Sequence, residues 1–159
     1  MDDKFTDATK RMIDDWYIRV DVSQRSHYLS AERYRRFAHW LGVPTAALSL
    51  FVGTAVFATL QTKPSITAQI CVGACSVLAA ILAGLQTFFG YAERAEKHRM
   101  AGAKYGALGR QLEVVRSEGS IEAKTIDRIR EKIDALALES PINTNAIYAA
   151  ARRDASGSC

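Results

Sequence analysis

Charge is missing from the middle of this chain. From Trp40 to Thr62 the sequence has no Asp, Glu, Lys or Arg, and from Pro64 to Ala92 again none, so Lys63 alone interrupts the central third. A single globular domain of 159 residues would spread its apolar residues along the chain instead of concentrating them there. Cysteine is scarce. Cys71 and Cys75 lie one helical turn apart inside the second uncharged stretch, where a thiol packs as a small hydrophobe, and Cys159 has none of the three following residues that a prenylation box requires. The acidic start, MDDKFTDATK, lacks the apolar core of a signal peptide, which leaves the first uncharged stretch as the first targeting signal.

Catalytic equipment is missing too. The histidines are His27, His39 and His98, none with a partner at metal-ligand spacing, and His98 beside Glu93, Arg94 and Glu96 reads as a solvated helix face. Gly102, Gly106 and Gly109 fall at steps of four and three on a helix, so they mark close packing and not a phosphate loop. No base accompanies Ser117, Ser120 or Ser140, which removes a nucleophile. The expectation is a protein that is not an enzyme and needs no cofactor or metal. Internal repeats and low-complexity linkers are absent as well.

What is present is two apolar spans. A hydrocarbon core of about 30 Å takes roughly 20 helical residues at about 1.5 Å each. Trp40 to Gln61 meets that length. Its Leu, Val and Phe residues contribute about −0.3 to −0.6 kcal/mol each to insertion, on the order of −3 to −5 kcal/mol together, which one central Lys would largely cancel. The second span, Ser65 to Tyr91, is longer and must tilt or overrun the hydrocarbon. A mean hydropathy of −0.06 conceals both, because polar flanks dilute them. Thr62-Lys63-Pro64-Ser65 leaves room only for a tight turn, with Pro64 suited to open the second helix.

The spacing therefore predicts an all-α protein: a two-span transmembrane hairpin over residues 40–92, N-terminal amphipathic helices over 1–39, and a helical extension with C-terminal helices over 93–159. A soluble bundle with a buried hairpin is the competing reading. Arg25, Arg33, Arg35 and Arg36 precede the spans and Arg94, Lys97, Arg99, Lys104 and Arg110 follow them, against Lys63 in the turn, so the positive-inside rule places both termini in the cytoplasm. Trp40 and Tyr91 would sit at that interface. The same basic residues, within a net charge of +4, suit anionic lipid headgroups better than nucleic acid because of where they lie.

Upstream, Met12, Ile13, Trp16, Tyr17 and Val20 recur at helical spacing, and Tyr28, Ala31, Tyr34 and Ala38 continue such a face. Downstream, Ala101, Tyr105, Leu108, Leu112 and Val115 make a short coiled-coil seam, expected on a direct extension of the second membrane helix and suited to association between copies. A break at Glu118-Gly119-Ser120 precedes a helix carrying Ile126, Ile129, Ile133 and Leu136, which must end before Pro141, and a last short helix fits Thr144 to Arg153.

The succession of Tyr28-x2-Ala31-x2-Tyr34, Gly42 just inside the first span, a tight hairpin, Ala92-Glu93-Arg94-Ala95-Glu96-Lys97-His98, Tyr105-x2-Leu108 and Pro141 resembles the SLATT family. Those are bacterial two-transmembrane effectors found beside nucleotide-second-messenger and related immunity genes. The resemblance implies an inner-membrane effector of antiviral defence by abortive infection, one that oligomerises into a pore or disrupts the membrane when a sensor or nucleotide-signalling partner releases it.

One stripe on the second span bears on that expectation. Gln69, Gly73, Ser76, Ala80, Ala83, Thr87 and Gly90, at alternating steps of four and three, are all small or polar, while the bulky apolar residues hold the other faces. Small residues let membrane helices approach closely, so the stripe is either a packing seam or the wet wall of a pore. A pore needs several copies in a ring, because two helices enclose no channel. A membrane-anchored scaffold that conducts nothing is the alternative. Ser49 and Gly53 offer a second small-residue seam, expected to pack within the hairpin, and Gln86 lies off the stripe without an assigned role.

Overall fold

A computed structural model of the chain describes residues 2–59, 64–117 and 122–156, which form five α-helices and, among the described residues, no strand. They are α1 (Asp2–Thr59), α2 (Ile66–Phe89), α3 (Tyr91–Ser117), α4 (Ala123–Glu139) and α5 (Asn145–Ser156). The expected turn at Thr62-Lys63, the break at Glu118-Gly119-Ser120 and Cys159 lie outside the described residues. The helices make two units, one of α1 up to Glu32 with everything from Ala95 onward, the other Arg33–Arg94.

The second unit is the hairpin. α1 runs through Pro44, a residue that removes the hydrogen bond to the Trp40 carbonyl. The Thr45 hydroxyl donates to the Leu41 carbonyl at 2.7 Å, one residue beyond the Trp40 carbonyl that Pro44 leaves without its helix partner. Pro64 does not itself open α2. Ser65 does, extended at φ −65 and ψ 153, its hydroxyl accepting from the Ala68 N–H at 3.3 Å.

α3 is not the uninterrupted extension that the sequence suggests. α2 ends at Phe89 because Gly90 takes φ 55 and ψ 37, a left-handed cap that costs a glycine nothing, and its N–H bonds the Gln86 carbonyl at 3.2 Å. Tyr91 then starts a new helix. At this base Tyr91 lies 5.4 Å from the Phe37 ring, 6.2 Å from Tyr34 and 5.2 Å from Phe89, so aromatic stacking joins the first span's entry to the second span's exit.

The other unit is a bundle with a conventional core. Ile13 and Val20 of α1, Tyr105, Leu108, Leu112 and Val115 of α3, and Ile129 and Leu136 of α4 are buried together, with Trp16, Tyr17 and Ile133 packed beside them. The periodic faces of Ile13, Trp16, Tyr17 and Val20 upstream and of Tyr105, Leu108, Leu112 and Val115 downstream are thus faces of one core. Close approach of α1 to α3 depends on glycine: a Cβ at Gly102 would stand 3.3 Å from the Tyr28 ring, and one at Gly106 only 2.9 Å from the Gln24 side chain. The sequence reading of these glycines as packing positions is met. α4 ends at Glu139, ahead of Pro141, as the proline demands.

Candidate functional site

The hairpin is built inside out relative to a soluble protein. Trp40, Leu50, Phe57, Ile66, Ile70, Val77 and Phe88 are 62–82% exposed, and Val43, Phe51, Ile81 and Leu78 are exposed with them. A core helix of a soluble bundle would be mostly buried. Here none of the most apolar window of α1 is buried, and 6% of that in Ile66–Ser117. An apolar surface of this extent calls for an apolar cover, and on two helices long enough to span a bilayer a membrane supplies it.

Within the hairpin the two helices use narrow faces. Leu41, Gly42, Thr45, Leu48, Val52 and Ala55 are the shielded positions of α1. Val72, Cys75, Ser76, Ala79, Leu82 and Gln86 are those of α2, at steps of three and four with Ala79 the most buried. Gln86 now has a role, because its amide reaches to 3.4 Å from where a Gly42 Cβ would stand. Ser49 and Gly53 are corrected: both are exposed, with nothing within 4 Å of a Cβ at Gly53, so they do not pack the hairpin.

The small-residue stripe is mostly left over by that packing. Gln69, Gly73, Ala80, Ala83 and Thr87 are exposed, Ser76 is half-buried at the edge of the packed face, and Gly90 is the helix cap. A Cβ at Gly73 would meet nothing within 4 Å. The Ser76 hydroxyl donates to the Val72 carbonyl at 2.9 Å and that of Thr87 to the Ala83 carbonyl at 3.0 Å, which satisfies them without water or a partner helix.

Of the topology-setting cations, Arg33, Arg35, Arg36 and Arg94 are exposed around the hairpin base, with the Arg33 guanidinium 5.9 Å over the Phe37 ring. Lys97 and Arg99 are exposed on α3 in the bundle. Arg99 is matched by Glu96 through two bonds of 2.8 and 2.6 Å, and that contact holds the Glu96 carboxyl below its ordinary value.

The seam Ala101, Tyr105, Leu108, Leu112 and Val115 is spent within one chain. All five are 7% exposed or less, against α1 and α4, so in this arrangement they present no free surface to another copy. The reason is that a three-four apolar pattern serves an intramolecular neighbour as well as an intermolecular one.

The polar centre of the bundle escaped sequence reasoning. His98 is not solvated: it is 4% exposed, and its Nδ1 lies 3.0 Å from Nδ1 of His27, itself 3% exposed. Two nitrogens at that distance share one proton, so one ring donates and the other accepts. Tyr105 stacks on His27 at 5.4 Å between centroids. Burial, and then the neighbouring imidazole, push the His27 pKa down to about 4, and burial lowers that of His98, so both are neutral at pH 7. Nearby, the Ser30 hydroxyl donates to Asn143 Oδ1 at 2.7 Å and Asn143 Nδ2 donates to Ser26 Oγ at 2.8 Å, tying the α4–α5 connection to α1. The signal was available. His98 continues the seam three residues before Ala101, and His27 follows Ile13 and Val20 at steps of seven. Among the described residues no group of three or more His, Cys, Asp or Glu could hold a metal ion.

Fold and surface together define a two-span helical membrane protein with a separate polar bundle. Residues 9–158 match the family described as SMODS and SLOG-associating 2TM effector domain family 4, and since this is nearly the whole chain, the protein belongs to that SLATT family. It is thereby a membrane effector of a defence-associated class. No curated protein matches it, and no solved structure does.

Proposed function

We propose that the protein is an inner-membrane effector of bacterial antiviral defence that assembles as a homo-oligomer and opens a pore when a sensing partner activates it, ending the infection at the cell's expense. The observation that carries this reading is the stripe of α2. Its exposed members Gln69, Gly73, Ala80, Ala83 and Thr87 are small or polar, hairpin packing does not use them, and they form a continuous line between bulky outward residues such as Ile70, Val77, Ile81 and Phe88, with Thr67, Ala68, Cys71, Ala74 and Gly84 the other small outward positions. A lipid-facing position gains by being apolar, so Gln69 and Thr87 are better placed facing other copies or water. Both termini on the cytoplasmic side, as the basic residues at the hairpin base suggest, would put the bundle where a cytosolic signal arrives.

Ala80 separates the readings. In a water-lined wall a carboxylate there keeps its hydration and favours cations, because acidic rings select them. On a lipid-facing or tightly packed face it costs at least about 2.5 to 3.5 kcal/mol. In protein reconstituted into liposomes, Ala80→Glu should assemble and shift ion preference, while Ala80→Leu assembles and conducts poorly. If Ala80→Leu conducts like the parent and Ala80→Glu fails to assemble, the stripe is a packing seam, and a non-conducting scaffold becomes the better reading.

A further inference from the structure

The bundle opens a cleft of about 330 Å³ beside its core, with Trp16 and Arg19 of α1 on one wall and Arg130 and Asp134 of α4 on the other. Tyr105 of α3 and Tyr148 of α5 line it too, so all four helices of the bundle contribute. The pairs Trp16/Arg19 and Arg130/Asp134 are three and four residues apart, which sets each pair on one helix face.

The two guanidiniums are lightly engaged. Arg19 donates from Nε to the Asp15 carbonyl at 3.4 Å, and Arg130 stands 3.6 Å from Asp127 in an ion pair whose side chains are 61% and 64% exposed. Such a pair contributes little, and each guanidinium has five N–H donors. Among the residues that line the cleft, two arginines stand against Asp134, which favours an anion. Trp16 and Tyr148 offer stacking to a planar ring, while Tyr105, buried and stacked on His27, lines the cleft from the core side. The volume lies at the small end of the range for ligand pockets, about 300 to 1,000 Å³, enough for one ring system with one charged substituent.

We propose that this cleft binds a planar aromatic anion, its ring against Trp16 and Tyr148 and its phosphate or carboxylate on Arg19 and Arg130. The binding surface is coupled to the polar centre: Tyr105, which lines the cleft, stacks on His27, and His27 bonds His98 across α1 and α3. A ligand that shifts Tyr105 therefore loads the contact holding those helices together. That coupling makes the cleft the input of the effector, and this part rests on the function proposed above.

The test uses full-length protein in detergent and calorimetric titration with adenosine 5′-monophosphate, benzoate, adenosine and inorganic phosphate. The first two carry ring and anion together and distinguish a phosphate source from a carboxylate source; the others carry one feature each. At least one of the first two should bind about tenfold or more tighter than both single-feature probes, a difference of about 1.4 kcal/mol. The chain has two tryptophans, so Trp40→Phe leaves Trp16 as the sole tryptophan, and the bound probe should change its emission under selective excitation. Arg19→Gln and Arg130→Gln should weaken binding severalfold. Asp134→Asn should tighten it, a sign that damage to the fold would not produce. Adenosine or inorganic phosphate binding as well as the tighter of the first two probes, no saturation by any probe up to about 10 mM, or Asp134→Asn weakening the complex would each overturn the proposal. Dye release from liposomes is scored separately: binding without release keeps the cleft and removes the pore, whereas release in a protein that binds no probe keeps the pore and removes the cleft.

Discussion

Leu112→Ala tests whether the seam on α3 belongs to the protomer's core. Leu112 is 0% exposed and lies among Ile13, Val20, Leu108, Val115, Ile129 and Leu136. Truncation removes three carbons, about 2.4 kcal/mol of transfer free energy at about 0.8 kcal/mol each, and the cavity left behind raises the cost into the range of about 2 to 5 kcal/mol. Val114, on the same helix and 59% exposed, is the control, with an expected effect within about 0.5 kcal/mol for Val114→Ala. The assay is amide hydrogen exchange of the full chain in detergent, because the bundle's local opening free energy reports this loss even where global unfolding is not two-state. A loss of about 3 kcal/mol lowers protection of the α3 amides by roughly a hundredfold. The effect should be the same in dilute and concentrated protein, since every contact involved lies in one chain. Were protection in the dilute protein no lower than for Val114→Ala, with loss appearing only where copies associate, the seam would lie between protomers and the reasoning would be refuted.

Three further predictions follow from other parts of the molecule. Because the folded-state pKa of His27 is depressed to about 4 from an ordinary 6.5, the unfolded bundle binds more protons between those values, so stability is full above about pH 6.5 and falls as pH drops toward 4; exchange measured across that window should show the loss, and the double variant His27→Phe with His98→Phe should flatten it. Gly109→Ala should stabilise the bundle by up to about 1 kcal/mol, since its Cβ would meet Val20 at an ordinary 3.7 Å and alanine favours the helix, whereas Gly106→Val should cost about 1 to 3 kcal/mol by crowding Gln24; thermal unfolding of both against the parent gives the signs. An impermeant thiol reagent on intact cells, in a Cys159→Ser background, should label Lys63→Cys and miss Arg25→Cys and Lys104→Cys, and the reverse pattern would invert the orientation.

Much of the architecture is written locally. A run without charge from Trp40 to Thr62 and another from Pro64 to Ala92 specify two membrane helices, because insertion sums over single residues and needs no knowledge of neighbours. Helix periodicity likewise placed Ile13, Trp16 and Val20 on one face and Ala101 to Val115 on another, and Pro141 stopped α4 where a proline must. The family order of elements was legible for the same reason.

What periodicity leaves undetermined is the partner of each face. The α3 seam could have served a second copy; the tertiary structure assigns it to α1 and α4 of the same chain. Ser49 and Gly53 were as suitable for the hairpin as Gly42, yet the rotation of the two helices about their axes turns Gly42 toward Gln86 and leaves Gly53 facing open space. Charge around His98 suggested a wet face, because Glu93, Arg94 and Glu96 are its neighbours in sequence, while its neighbour in space is a second imidazole 71 residues away. Hydropathy is a property of residues and could be read from the chain alone; burial and pairing belong to contacts between distant segments, and only folding decided them.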